Sequence, residues 1–296
     1  MADELLWSDR PELERPVLVA AFRGWNDGGN GASLAAGYLA REWGAEQFAQ
    51  VDPEGFFDFQ ATRPHVSLVD GVARRIEWPE TAFYHARPPG ADRDIVLLLG
   101  IEPNVRWRTF TSLVVGLAQE LGVELLVTLG SLLADVPHTR PSPVTGSAND
   151  QALVEQLGLS SSRYEGPTGI VGVLGDACNE AGIPSASLWA AVPHYVQLTP
   201  SPRAAKALCE RLAELIEVEV DVAELEEASE AYATQVSEAV AGDEETAAYV
   251  AELERRIDTL DEDEELPSGE ALAAELARFL REREQEDDGP DAAREQ

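Results

Sequence analysis

DIVLLLG at residues 94–100, RTFTSLVVGLAQELG at 108–122 and VELLVTLG at 123–130 follow one another with one short polar loop between the first two. A run of Leu, Ile and Val of strand length, an apolar pattern of helical period, and a second such run read as strands buried on both faces of a mostly parallel sheet, joined by a helix. Moving outward, PVLVAAF (16–22) leads through a glycine-rich turn into ASLAAGYLAREWG (32–44). On the other side GIVGVLGDACNEAG (169–182), a buried helix or a strand–helix step, precedes the strand-like IPSASLWAAVP (183–193). Strand and helix alternate through all of these, which predicts an α/β core.

Between the first two units the texture changes. FAQVD (48–52), HVSLVD (65–70) and VARRIEW (72–78) alternate, and Asp70-Gly71 is a hairpin turn signal, so the sheet is expected to be mixed, with an antiparallel part. PRAAKALCERLAELIE (202–217) is an amphipathic helix opened by Ser201-Pro202. Beyond it Leu225, Tyr232, Val236 and Val240 recur at helical spacing, as do Tyr249, Leu253, Ile257 and Leu260, and SGEALAAELARFLRERE (268–284) repeats the pattern. Residues 1–209 carry 25 acidic and 15 basic side chains and 210–296 carry 30 and 7, so the last part holds 23 of the 33 net negative charges. Composition and periodicity therefore divide the chain into a core at 1–217, an acidic helical appendage at 218–284 and a disordered tail at 285–296.

The charge disfavours nucleic acid, whose binding needs Lys and Arg against phosphate. Cys178 and Cys209 are too far apart for a C-x-x-C pattern, which fits a reducing cytoplasm. The N-terminus has acidic residues where a signal peptide needs a basic flank, and no apolar run approaches a membrane span.

Five segments could carry chemistry. In FRGWNDGGNG (22–31), glycines at a strand end and a helix start could admit an anion, but neither a P-loop nor G-x-G-x-x-G is present; the alternative is a turn in which Asn26 or Asp27 caps a helix. In GIEPNVRWRTF (100–110), Glu102 and Arg106 make either a polar clamp on a ligand or an ion pair that fixes the loop. LGSLLADVPHTRPSPVTGSAND (129–150) places Asp135, His138, Arg140, Thr145 and Ser147 on one long loop, where His138 is a base oriented by Asp135 or a hydrogen-bonded structural histidine. RYEGPTG (163–169) adds Glu165, and LWAAVPHYVQLTPSP (188–202) puts His194 and Tyr195 at a strand exit. No H-E-x-x-H pair nucleates a metal site and no G-x-S-x-G elbow supplies a hydrolase nucleophile, so neither metal nor cofactor is expected. Trp25, Trp78, Trp107 and Trp189 are expected to be structural.

The series GWNDGGNGAS (24–33), DPEGFFDFQATRP (52–64), GIEPNVRWRTF, VTLGSLLADVPHTRPSPVTG (127–146), YEGPTGIVGVL (164–174) and LWAAVPHYV (188–196) resembles, in order and spacing, the proteasome assembly chaperone family of the second chaperone type, in its actinobacterial branch. The resemblance spans about residues 5–280. It implies a three-layer α/β/α sandwich of the phosphorylase and peptidyl-hydrolase kind with an added C-terminal helical region, and a homo-oligomer, a trimer. It also implies a protein-binding assembly factor or scaffold. Ring-docking relatives end in a hydrophobic-Tyr-X tail, whereas this sequence ends Ala293-Arg294-Glu295-Gln296, so docking on the proteasome by that tail is not expected. Similarity to carboxylate-amine ligases is weakened by the single lysine, Lys206, because such folds use lysines on ATP phosphates. The competing expectation is an enzyme or small-molecule binder, hydrolase- or phosphorylase-like, whose pocket at the strand ends gathers Asn26, Asp27, Glu102, Arg106, Asp135, His138, Arg140, Glu165 and His194.

Overall fold

The computed structural model describes residues 4–262 of the 296, apart from 70–72, 149, 162–163 and 197. In chain order the elements are β1 (Leu5–Trp7), β2 (Val17–Arg23), α1 (Gly31–Glu42), β3 (Glu46–Val51), β4 (His65–Val69), β5 (Ala73–Glu77), β6 (Thr81–Ala86), β7 (Ile95–Ile101), α2 (Trp107–Glu120), β8 (Leu125–Ala134) and β9 (Val144–Ala148). They continue with α3 (Gln151–Leu157), β10 (Ser160–Ser161), α4 (Ile170–Glu180), β11 (Ser185–Pro193), α5 (Pro202–Ile216), α6 (Ala223–Val240) and α7 (Glu244–Glu262). Nine strands form one sheet in the order β1-β3-β6-β7-β2-β8-β11-β9-β10. The middle four, β7, β2, β8 and β11, are parallel, and antiparallel pairs flank them on both sides.

Strand β2 illustrates why the expected continuous apolar runs are needed. Val17, Val19 and Ala21 face one layer with α1 and α5, while Leu18, Ala20 and Phe22 face the other with α2 and α4. Every one of these side chains is at most 1% exposed, so each face of the pleat meets a helical layer and polar residues would have no place on either. The segment 169–182 is a helix, α4, and not a strand–helix step. In the second layer Phe110 sits edge-on to both Phe22 and Phe56, with ring centroids 5.8 and 5.6 Å away, and is fully buried. Cys178 and Cys209 are free and buried in opposite layers, and burial pushes both thiols up.

Two local readings change. Thr145 and Ser147 are not on the loop with His138; Val144 and Thr145 bring β-branched side chains to the open edge of β11, and β9 pairs there antiparallel. The antiparallel part of the large sheet comes from β1, β3, β6 and β9, whereas β4 and β5 pair only with each other in a separate two-stranded sheet. The Asp70-Gly71 turn itself lies outside the described residues, as do 268–284 and the tail.

Helix α5 opens on Ser201, whose hydroxyl accepts from the N–H of Ala204, with Pro202 in the first turn. Leu225, Ser229, Tyr232 and Val236 of α6 are buried, and Lys206 on α5 reaches Glu226 on α6 at 2.8 Å as well as Glu210 at 2.9 Å. Among the described residues no helix is long and apolar enough to cross a membrane.

Candidate functional site

Chain direction turns at the centre of the sheet. β2 leads into α1 in one layer and β7 leads into α2 in the other, so their C-terminal ends splay around a crevice of the kind where open α/β sheets take ligands. Asn26 and Asp27 follow β2 there and Glu102 follows β7. Glu102 Oε1 accepts from the Asn26 amide at 3.0 Å and from the N–H of Ile170, first residue of α4, at 2.8 Å. Its Oε2 accepts from the N–H of Trp25 at 3.3 Å. A carboxylate at a helix N-terminus satisfies an orphan donor and meets the positive end of the helix dipole.

Asp27 treats α1 in the same way. Its Oδ1 accepts from the N–H groups of Ala32 at 2.8 Å and Ser33 at 3.2 Å. The Ser131 hydroxyl at the end of β8 lies 3.1 Å from that oxygen and 2.8 Å from the Gly28 carbonyl, and can donate to one of them. Asn26 and Asp27 are 1% and 5% exposed, and Asn26 Oδ1 and Asp27 Oδ2 have no hydrogen-bond partner among the described residues. The backbone of α4 comes so close that a Cβ on Gly169 would stand 2.3 Å from Asn26 Oδ1. Gly169→Ala is therefore expected to cost about 2 kcal/mol through overpacking. The loss should shrink in the Gly169→Ala/Asn26→Ala double variant, as urea midpoints of the four proteins would reveal.

A second cluster lies past β8 and β11, under the helical appendage. Tyr195 Oη accepts from the His138 backbone N–H at 2.8 Å and lies 2.8 Å from His138 Nδ1, while His138 Nε2 lies 2.9 Å from Ser237 Oγ on α6. The Tyr195 hydroxyl can also donate to Nδ1, and in that tautomer the Nε2 proton goes to Ser237 Oγ. Asp135 accepts from the Tyr249 hydroxyl of α7 at 2.8 Å, and His194 Nδ1 stands 3.1 Å from the same carboxylate oxygen without the alignment of a hydrogen bond. Arg140 grips Asp258 of α7 with Nε and Nη2, both at 2.8 Å, holding that carboxyl below its usual range. Arg203 donates to the Arg140 carbonyl at 2.9 Å. Val136, Pro137, His138, Arg140, Ser142, Ala191, Ser201, Arg203 and Tyr232 leave between them space for about one water molecule.

Burial lowers the pKa of His138 below the ordinary imidazole value, helped by Arg203 and opposed by Glu254, and pushes Tyr195 up to about 12. The unfolded chain thus takes up a proton on this histidine before the folded chain does. The stability contributed by neutral His138 is complete above the ordinary pKa of about 6.5 and is lost as pH falls from there toward the lower folded value. Amide protection in α6 and α7, corrected for the slower intrinsic exchange at low pH, is expected to fall between pH 7.5 and 5.5, and that pH dependence should flatten in His138→Gln.

The nine candidate residues thus fall into separate places. Asn26, Asp27 and Glu102 meet; Asp135, His138, Arg140 and His194 meet elsewhere, against α6 and α7. Arg106 does not join Glu102: its guanidinium pairs with Glu4 at 2.6 Å and lies over the Phe56 ring. Glu165 is exposed on the loop before α4. Ser131 and Gly169, inside two of the quoted segments, and Ser237 and Tyr249, outside them, complete the two clusters; none was a candidate, since each acts on a residue at least 99 positions away. Among the described residues no group of three His, Cys, Asp or Glu could hold a metal ion.

The profile described as "PAC2 family" matches residues 21–240. A solved PAC2 family protein of Streptomyces avermitilis is 50% identical over 79% of this chain and 99% of its own, with a TM-score of 0.74. A Mycobacterium tuberculosis protein described as a proteasome-assembly chaperone homologue is 49% identical, over 79% of this chain and 99% of its own, with a TM-score of 0.73. An archaeal proteasome activator from Pyrococcus furiosus shares the fold, with a TM-score of 0.65, at 18% identity over 79% of this chain and 97% of its own. None of the curated proteins matches.

Proposed function

The chain belongs to the PAC2 family, and from that membership we propose that it is a protein-binding assembly factor or scaffold with a chaperone-like role, acting in the cytoplasm as a homo-oligomer, a trimer. The observation that carries this reading is the occupied crevice: at the helix N-terminus where an α/β enzyme would take an anion, Glu102 supplies the chain's own carboxylate. The relative described as a proteasome-assembly chaperone homologue, at 49% identity, supports a protein partner. The acidic helices clamped on the core by Arg140, His138 and Lys206 offer that partner a preformed surface.

A second reading, a small-molecule binder or hydrolase-like enzyme, rests on Asn26 Oδ1 and Asp27 Oδ2, buried acceptors with no partner among the described residues in the same crevice. Two measurements separate the readings. Native mass spectrometry of the full chain should give three chain masses, and a monomer would sink the oligomer. A thermal-shift screen against nucleotides, sugar phosphates, amino acids and divalent metals should stay blank, because a ligand of the folded state raises its stability. A hit abolished by Asn26→Ala would favour the binder.

A further inference from the structure

Helix α6 carries three aliphatic hydroxyls, and one of them is bonded unlike the others. Ser229 Oγ donates to the Leu225 carbonyl at 2.6 Å and Thr234 Oγ1 to the Glu230 carbonyl at 3.0 Å, the bond to the residue four back that such side chains make inside helices. Ser237 turns its hydroxyl away from the helix, to His138 Nε2 at 2.9 Å. Ser237 is exposed and His138 is 2% exposed, so a surface oxygen stands in front of a buried imidazole. Behind the ring, Tyr195 Oη lies 2.8 Å from Nδ1 and is itself fixed by the His138 backbone N–H. A hydroxyl at one ring nitrogen and a fixed oxygen at the other is how a nucleophile, its base and the group that orients the base are arranged.

A phenol oxygen has two lone pairs. Tyr195 can therefore accept the Nδ1 proton beside the backbone N–H, and in that tautomer the Nε2 lone pair receives the Ser237 hydroxyl proton. Burial first, and then Arg203 of α5, keep the imidazole in the neutral form that a base needs, while Glu254 of α7 favours the proton it takes up. The helix positions nearest Ser237, three and four residues away, are Ala233, Thr234, Val240 and Ala241. None is charged and most are small, which leaves the hydroxyl open to an electrophile. Glu230 and Glu238 on the same helix, in a chain of net charge −33, repel anionic substrates and leave uncharged ones.

We propose that Ser237 is a nucleophile activated by His138, with Tyr195 as the positioning residue, and that it takes acyl groups from uncharged esters. Ser237 Oγ attacks the carbonyl carbon as its proton passes to His138 Nε2. The bond from that carbon to the leaving alcohol oxygen then breaks, and the proton on Nε2 goes to that oxygen. Water activated by the same nitrogen releases the acyl group as an acid. The site is separate from the crevice of Asn26, Asp27 and Glu102, and the proposal depends neither on a ligand there nor on the oligomeric state.

The probe is phenylmethylsulfonyl fluoride, which is uncharged: the serine oxygen attacks sulfur, fluoride leaves, and the stable adduct is located by peptide mass mapping of the full chain. Ser237 is expected to be labelled about 100-fold faster than Ser112, which is exposed on α2 with its hydroxyl on the Arg108 carbonyl at 2.8 Å. His138→Gln should lose that factor. Since this variant also loosens α6, the pH profile of the unchanged chain gives an independent reading. Labelling of Ser237 should level off above pH 7, where His138 is already neutral, whereas labelling of Ser112 keeps rising as its alkoxide fraction grows. Tyr195→Phe, which keeps the base but removes its orienting oxygen, should slow labelling and retain the plateau. Labelling of Ser237 no faster than that of Ser112, a rate unchanged in His138→Gln, or a profile that climbs without a plateau would overturn the proposal and leave Ser237 a tie between α6 and the core.

Discussion

Glu102→Ala is expected to destabilise the folded chain by about 3 kcal/mol, because it strands the Asn26 amide and the first N–H of α4 away from water. Removing one partner of a buried hydrogen bond costs the desolvation of the other, and here one oxygen serves two donors. Glu102→Gln should cost only about 1 kcal/mol, since its carbonyl can take the place of Oε1 and its NH2 then faces only the longer contact from Trp25. Urea unfolding measures both. Equal losses would mean that charge against the helix end, and not the pattern of donors, is what matters.

Phe110→Ala is expected to cost about 4 kcal/mol, from lost transfer free energy and the cavity left between Phe22 and Phe56. The ring is fully buried, and the helix that carries it follows the Glu102 loop directly, so the surroundings have little freedom to collapse. The urea midpoint should fall with an unchanged slope. A loss below about 1.5 kcal/mol would mean that the layer repacks, as tolerant cores do.

The sandwich was legible because its strands are buried on both faces: runs such as PVLVAAF and DIVLLLG admit few alternatives. The separate hairpin was legible as a pair of strands but not as a second sheet, because alternation fixes a strand's faces and not its neighbour. Capping by Asp27 was among the readings of the glycine-rich turn, whereas Glu102 bonds to a helix 68 residues further on and so could not be assigned to α4 beforehand. His138 could be read as structural or as a base from its loop alone; the difference lies in Ser237, 99 positions away. The exposure of Trp25 and Trp78, expected to be structural, was equally hidden, since a tryptophan's burial depends on what the fold brings to it.

Strand β2 is the second strand to be synthesised, yet it lies at the middle of the sheet, paired with β7 and β8 through residues 78 and 108 positions later. On the ribosome its apolar residues therefore wait for about 110 further residues, some 5 to 25 seconds at ordinary synthesis rates, before both edges are satisfied. A protein of the PAC2 family would itself, during that interval, present the kind of unpaired strand that chaperones bind.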